Sequence, residues 1–364
     1  MEKSLTILQV ISQRHLSGAE RVCLMLSESL QRRGHRVVLV CKRDTAMLEE
    51  AALRGLDVRT PGLSGKFNPL VPMRLMSIAR EIGADVIHTH LSTASQWGGA
   101  AGKLTGIPVV SHVHAMNSKH FFLLADVMVA CSEGVRNHLT GQGVSQQKIR
   151  VVYNGIEAKR VEIPLDRRPL REELGIADDA PLLVCIAHLA GKKGQEYLIG
   201  AVARLKERWP EIRCLFAGIG ERAEALQLQV DDLGIGSNVI LLGYRNDAIA
   251  LMNASDCVIL PSLGKEGLPL VLLEAALLGR PAICSNIPGN NEVVIDGTTG
   301  LLFPPGDTDA LADSIDLLLS DRELSGRMGA AARCRAMTEF TIEAMTDRME
   351  SVYRDLIRQR KGES

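Results

Sequence analysis

Two short segments hold side chains able to do chemistry. EGLPLVLLEAALLGRP, residues 266–281, carries Glu266 and Glu274 with seven residues between them, and from Pro269 to Leu278 Glu274 is the only charge. Pro269 suits the first turn of a helix, and Gly279 followed by Pro281 reads as its stop. A helix apolar on all sides is buried, and a buried carboxylate is costly unless it gains partners. Nothing nearby in sequence is such a partner, so Glu274 needs either a cation elsewhere in the core or a ligand. HLAGKKG, residues 188–194, sets His188, Lys192 and Lys193 beside Gly191 and Gly194, just before a helical pattern. Cations at a helix N-terminus suit a phosphate; exposed lysines are also commonly just solvated, and both readings stay open.

Other candidate loops carry weaker signals. HLSGAE, residues 15–20, follows a strand pattern and opens a helix, where Gly18 would let a backbone approach an anion closely. GIGER, residues 218–222, contains GxG, but the third Gly of a dinucleotide fingerprint is absent and the next strand, NVILLGY, ends in Tyr244 rather than an acid. GxxxxGK[ST] is absent, which counts against a P-loop kinase or ATPase. His88, His90, His112, His114 and His120 cluster in sequence, and HxH on a strand puts both rings on one face. Two such pairs could hold zinc, but the region offers few carboxylates, and hydrogen-bonding or cleft-lining histidines are the favoured reading. DTD, residues 307–309, is explained by an N-cap and an acidic first helical turn.

The elements that position these loops alternate along the chain. LTILQVIS, RVVLVCK, ADVIHTH, IPVVSHVH, DVMVACS and KIRVVYNG read as strands separated by helical patterns, the first helix near 19–33. A second series runs LLVCIAHL, RCLFAGIG, NVILLGY, CVILPSL, PAICSN and TGLLFPPG, with a helix near 195–209. This is the pattern of βαβ units and parallel sheets, in which ligands bind beyond the C-terminal strand ends. Expected are an N-terminal domain over 1–160, a linker over 161–181 (charged, with three prolines in 157–181), a C-terminal domain over 182–342, and a final helix over 343–364 packing back toward the N-terminal domain.

Bulk properties narrow the class. With 364 residues, 46% hydrophobic and 23% charged, two soluble domains are expected. The net charge of −1 suggests no nucleic-acid partner. Residues 1–175 hold 23 Lys and Arg against 16 Asp and Glu, and the remainder holds 19 against 27. Solvated faces explain this; a basic first half meeting an anionic acceptor or membrane is the sharper alternative, with Arg32, Arg33, Arg36, Lys42 and Arg43 as its cations. The eight cysteines are scattered, mostly within apolar runs, and argue for a reducing, cytoplasmic setting. The apolar run LTILQVI is too short for a signal peptide, and no stretch has the length of a membrane span.

Taken in order, these segments resemble glycosyltransferase family 4. Glu266 and Glu274 match that family's E-x7-E motif. SGAERVCLMLSESLQRRGHRVVLV resembles its opening GGxE loop, with Ser17 in place of the first Gly. IPVVSHVH resembles the strand ending in the active-site histidine, here His114. VVYNGIE and TGLLFPPGD resemble the segments that end the first and second domains. The resemblance implies an α/β GT-B fold, two Rossmann-like domains of doubly wound parallel sheets facing a central cleft. It implies retaining transfer of a sugar from a nucleoside diphosphate, UDP favoured, to a glycan or lipid-linked hydroxyl, in cell-envelope synthesis at the inner face of a membrane, with no metal or other cofactor. It assigns catalysis to Glu266, Lys193 and His114. It assigns the donor to Gly18, His188, Lys192, Lys193, Tyr244, Gly267, Leu268 and Glu274, with ribose hydroxyls on Glu274. His188 stands where the family has Arg, so phosphate binding departs from the usual pair. A 2-epimerase of the same fold, a non-catalytic sugar-nucleotide-binding module and a zinc hydrolase are the rival readings.

Overall fold

The computed structural model describes residues 3–12, 16–43, 45–63, 65, 68–161, 166–264 and 266–362. The chain divides into two compact units, one of residues 1–157 with 340–364 and one of residues 158–339.

The first unit holds strands β1 (Thr6–Ile11), β2 (Arg36–Val40), β3 (Asp57–Arg59), β4 (Val86–His90), β5 (Val109–Val113), β6 (Val127–Ala130) and β7 (Ile149–Val151). They form a parallel sheet in the order β3-β2-β1-β4-β5-β6-β7. Val, Ile and Leu dominate the central strands because helices cover both faces. The order reverses between β1 and β4, which are neighbours in the sheet. Helix Gly18–Arg32 begins at a capping box, the Glu20 carboxylate accepting from the Ser17 backbone N–H at 3.0 Å. On the opposite face, helix Ser92–Thr105 packs against β4 and β5.

The second unit holds β8 (Leu182–Ile186), β9 (Arg213–Ala217), β10 (Val239–Gly243), β11 (Cys257–Leu260), β12 (Ala282–Ser285) and β13 (Gly300–Phe303), in the parallel order β10-β9-β8-β11-β12-β13. Its switch point falls between β8 and β11. Loops leaving the C-terminal ends of those two strands therefore flank the crevice where open α/β sheets bind ligands.

The boundaries differ from those read along the chain. The stretch 161–181 contains helix Arg168–Glu173, which belongs to the second unit. Its Leu170 packs with Leu182, Val184 and Leu251. Arg171, 2% exposed, donates to the carbonyls of Ala177, Ala180 and Ala254, the last at the C-terminal end of helix Ala248–Ala254. These carbonyls, together with the Asp256 carboxylate 3.4 Å from Arg171 Nη2, accommodate a buried guanidinium that composition marks as solvent-facing. The chain re-enters the first unit at Phe340, where Ile156 N–H donates to Phe340 O and Ile342 N–H to Ile156 O, both at 2.9 Å. Helix Ile342–Lys361 packs on helix Gly18–Arg32, with Thr346 Oγ1 donating to Ser29 Oγ at 2.8 Å. Strand β3 is the strand missing from the sequence reading: three residues at a sheet edge, too short and too exposed to show a pattern. Among the described residues no helix is long and apolar enough to cross a membrane. All eight cysteines are free thiols and seven are buried.

Candidate active site

Within the second unit, the loops after β8 and β11 bring together Lys193 and Glu266. Lys193 Nζ donates to Glu266 Oε1 at 2.5 Å, and Ser262 Oγ donates to the same oxygen at 2.7 Å. The Lys193 and Glu266 side chains are 16% and 13% exposed. The cation is thus held at the N-terminal end of helix Gln195–Leu205, beside a carboxylate just ahead of helix Leu270–Leu277. Burial pushes the Cys185 thiol on β8 up to about 12, and the Lys193 charge acts in the opposite direction. That marks the ammonium as close to the strand and leaves the thiol protonated.

The loop carrying Lys193 is tied from several sides. Leu263 N–H donates to Lys192 O at 2.9 Å, and the Gln195 side-chain amide donates to His188 O at 3.0 Å. Leu189 N–H donates to Ile219 O at 2.9 Å. This last bond gives GIGER a packing role: a Cβ on Gly220 would strike the Leu189 carbonyl, so glycine is needed there for loop-on-loop contact. Gly194 sits at φ 64°, and a Cβ there would collide with the Pro261 carbonyl oxygen. Gly194→Ala should therefore cost about 3 kcal/mol, combining left-handed backbone strain with overpacking. Urea denaturation followed at Trp209, in the second unit, measures it; an unchanged midpoint would show that the loop is not locked.

The remaining candidates of this unit differ in placement. Glu274 lies on helix Leu270–Leu277 and is 7% exposed. Gly267 and Leu268 are buried at the entry to that helix. Lys192 is exposed. His188 is also exposed, with its Nε2 3.5 Å from Glu221 Oε2. Tyr244 is 69% exposed at the end of β10, the edge strand, two strands out from β8. Neighbouring strands lie about 4.8 Å apart, so Tyr244 is set roughly 10 Å to one side of the Lys193 loop. Lys265 lies outside the described residues. Ser262 and Gln195 were absent from the sequence reading; Ser262, four residues before Glu266 in one loop, offered a faint signal.

Within the first unit, His88 and His90 on β4 and His112 and His114 at the end of β5 lie on one sheet face. His90 pairs with His112 in register, and Gln9 on β1 pairs with His88. The rings stack: His112 and His114 centroids are 4.2 Å apart with planes inclined by 6°. His90 Nδ1 is 2.9 Å from His114 Nε2, and His90 Nε2 is 2.8 Å from Gln9 Oε1. Tyr353 of helix Ile342–Lys361 places its hydroxyl 2.7 Å from His88 Nδ1. Burial holds all four imidazoles well below the usual histidine range, His114 at about 3, and their mutual repulsion adds to this for the other three. His88, His90 and His112 bring ring nitrogens within 4.8 Å of one another. The planes of His88 and His90 are inclined to that of His112 by only 18° and 21°. Gly18 opens helix Gly18–Arg32, and residues 13–15 of its loop, His15 included, lie outside the described residues. His120 sits in the short helical turn Lys119–Phe121.

Four of the five basic residues singled out in this unit have internal partners. Arg32 bonds Glu28 at 3.2 Å, Arg33 bonds Asp347 at 2.5 Å, Arg36 donates to Ile82 O and Arg43 to Thr60 O. In the second unit, Asp307 caps helix Thr308–Ser320 through Asp309 N–H and Ala310 N–H, as the DTD segment suggested.

Comparison with known proteins fits this geometry. Residues 16–160 match the family model Glycosyltransferase Family 4, and residues 166–335 match Glycosyl transferases group 1. N-acetyl-α-D-glucosaminyl L-malate synthase of Bacillus anthracis is 30% identical over 306 residues, 79% of each chain. UDP-Gal:α-D-GlcNAc-diphosphoundecaprenol α-1,3-galactosyltransferase of Escherichia coli is 27% identical over 370 residues, covering 94% of this chain and 95% of that one. The crystal structure of Anabaena HepE in complex with UDP-glucose superposes with a TM-score of 0.86 at 25% identity, covering 96% of this chain and 100% of that one. Two doubly wound parallel sheets, a cation–carboxylate pair at the switch point of the second and full-length relatives together make this chain a glycosyltransferase of family 4, with the GT-B fold.

Proposed function

We propose that the protein transfers a sugar from UDP to a hydroxyl of a glycan or lipid-linked acceptor, with retention at the anomeric carbon, in the synthesis of a cell-envelope polysaccharide, lipopolysaccharide or glycolipid. The observation that carries this reading is the Lys193–Glu266 pair at the switch point between β8 and β11. The UDP and UDP-glucose complexes of the HepE structures support the donor class, and the lipid diphosphate in the galactosyltransferase's name supports the acceptor class.

In this reaction the bond from the anomeric carbon to the diphosphate oxygen breaks, and the electron pair leaves with UDP. The acceptor oxygen bonds to the anomeric carbon on the same face, and its proton goes to the leaving phosphate oxygen. Lys193, with Lys192 and His188 beside it, and the amides near Gly267 and Leu268 stabilise the charge gained by the diphosphate; preorganised electrostatics of this kind is commonly the largest catalytic contribution. Glu266 holds Lys193 and accepts from sugar hydroxyls. Glu274 accepts from the ribose hydroxyls. His114 contacts the sugar being transferred, and Tyr244 and Gly18 complete the donor contacts. With charge neutralised by side chains and amides, the scheme calls for no metal.

A thermal-shift screen against UDP-, GDP- and ADP-sugars tests the donor assignment. A ligand present at about 100 times its Kd adds roughly 2.7 kcal/mol to native stability. UDP-sugars should raise the melting temperature by several degrees and the other two should not; no rise with any of the three would defeat the assignment.

A further inference from the structure

Among the contacts where the loops after β8 and β11 meet, the hydroxyl of Ser262 has no part in the scheme above. We infer that Ser262 is a positioning residue for sugar transfer: with Lys193 it occupies one oxygen of Glu266, and so leaves the other, Oε2, as the single acceptor for a hydroxyl of the donor sugar. The inference deepens the role proposed for Glu266 and rests on that reading.

A carboxylate offers two oxygens that differ only in what surrounds them. In Glu266 the surroundings make them unequal. Oε1 accepts from Lys193 Nζ at 2.5 Å and from Ser262 Oγ at 2.7 Å. Oε2 has no hydrogen-bond partner among the described residues. The Glu266 side chain is held on one side and keeps partial exposure on the whole, 13%, through which a ligand can reach it.

The two donors do different things. Lys193 ends in a compact ammonium on a flexible stem, a point charge that imposes little direction. In the proposed reaction it also serves the diphosphate, so it has two anions to satisfy. Ser262 is fully buried, and a single torsion separates its oxygen from the main chain. That main chain is fixed on both sides. The Pro261 carbonyl lies so close to Gly194 that a Cβ there would collide with it, and Leu263 N–H donates to Lys192 O at 2.9 Å. The hydroxyl therefore starts from a rigid point, whereas Glu266 has a longer side chain with more torsions to fix. A hydrogen bond to an ionised carboxylate is short and stronger than a neutral one, and it carries a direction. Ser262 supplies the direction and Lys193 the charge. When the diphosphate draws on the ammonium, the hydroxyl keeps Oε1 in place and Oε2 keeps its orientation. Glu266 then binds a sugar hydroxyl without first losing side-chain freedom, which is the gain of preorganisation. The gain belongs to the sugar and not to the nucleotide, because Lys193 and the amides near Gly267 and Leu268 meet the diphosphate with or without Ser262.

The test is calorimetric titration of the full chain with UDP, UDP-glucose, UDP-galactose and UDP-N-acetylglucosamine, together with crystal structures of the unliganded proteins. Ser262→Ala should weaken the tightest-binding UDP-sugar about tenfold, the scale of one hydrogen bond to a charged group, and leave the Kd for UDP nearly unchanged. Ser262→Thr, which keeps the hydroxyl, should restore the affinity for that UDP-sugar. Unliganded Ser262→Ala should show Glu266 in more than one side-chain orientation, with the main chain of residues 261–263 unmoved. Equal losses for UDP and the UDP-sugar would reduce Ser262 to a structural residue and overturn the inference. Undiminished UDP-sugar binding in Ser262→Ala would also overturn it, as would a Glu266 side chain that keeps one orientation there. If wild type bound none of the three UDP-sugars, the donor assignment would fall. The crystal structures, which need no donor, would then tell that failure from this one: a Glu266 that loosens in Ser262→Ala places the error in the choice of donor, and a Glu266 that stays ordered places it here.

Discussion

Lys193→Met should lower the turnover of sugar transfer by about 10²- to 10³-fold, the loss seen when one preorganised donor to a developing negative charge is removed. The Lys193 ammonium is held by Glu266 Oε1 at 2.5 Å, on a loop whose neighbouring carbonyls are bonded to Leu263 and Gln195. Such a charge needs no rearrangement as the diphosphate leaves, which is why its removal should fall on the chemical step. Methionine keeps much of the stem volume, so the loop should keep its shape. Glu266 loses its ionic partner but retains the Ser262 hydroxyl at 2.7 Å, which limits the cost in stability. Lys193→Arg should rescue poorly, because a planar fork does not fit a position shaped for a compact ammonium beside one carboxylate oxygen. Glu274→Ala should also lose most turnover, in its case with weakened UDP binding. Rates measured with saturating donor, and unfolding midpoints measured alongside, separate chemistry from folding. Turnover within threefold of wild type in both Lys193→Met and Glu274→Ala would sink the proposed mechanism.

Much of this architecture can be read along the chain because buried parallel strands write themselves as continuous apolar runs. VVSHV of β5 and LLVCI of β8 are such runs, and the helices between them carry ordinary stop signals. β3 is silent because an edge strand of three residues, two of them exposed, needs no apolar pattern. Helix Arg168–Glu173 is hidden for a different reason. Its buried side includes Arg171, and an arginine satisfied by main-chain carbonyls and the distant Asp256 cannot be told from a surface arginine by type alone. At the site, glycine and lysine spacing marks the loop after β8, and the lone Glu274 marks the buried helix. The Ser262 contact to Glu266 depends on how one loop folds, which spacing does not specify. Period-two alternation places His88 with His90 and His112 with His114, but Gln9 joins them only through the order of the strands, since β1 and β4 are separated by 74 residues of chain yet adjacent in the sheet. Likewise, Tyr353 reaches His88 because the last helix returns to the first unit.

The same array makes the first unit acid-sensitive. Four imidazoles are held neutral by burial, with proton affinities well below that of an unfolded histidine. The groups facing them are the neutral Gln9 and Tyr353, and no carboxylate among the described contacts of the array would favour a charged ring. An unfolded chain takes up protons on these residues as the pH drops through about 6.5, whereas the folded unit does not until much lower, about 3 for His114. Below about 6.5 the unfolded state therefore binds more protons, and stability falls as pH falls; above that point the histidines contribute no slope. At pH 5.5 each ring should destabilise the unit by about 1.4 kcal/mol, and the four together by about 6 kcal/mol. That is comparable to the whole stability of many domains. Trp97 packs in the core of the first unit and Trp209 in that of the second, so each reports its own unit. In Trp209→Phe, the urea midpoint followed by Trp97 fluorescence should drop steeply between pH 7.5 and 5.5. In Trp97→Phe, the midpoint followed by Trp209 should move little. His112→Leu should recover about a quarter of the lost stability at pH 5.5, because one buried base is gone. No acid shift at Trp97 would mean that these rings take up protons in the folded unit as readily as in the unfolded chain, and equal shifts at both tryptophans would place the acid sensitivity outside the array.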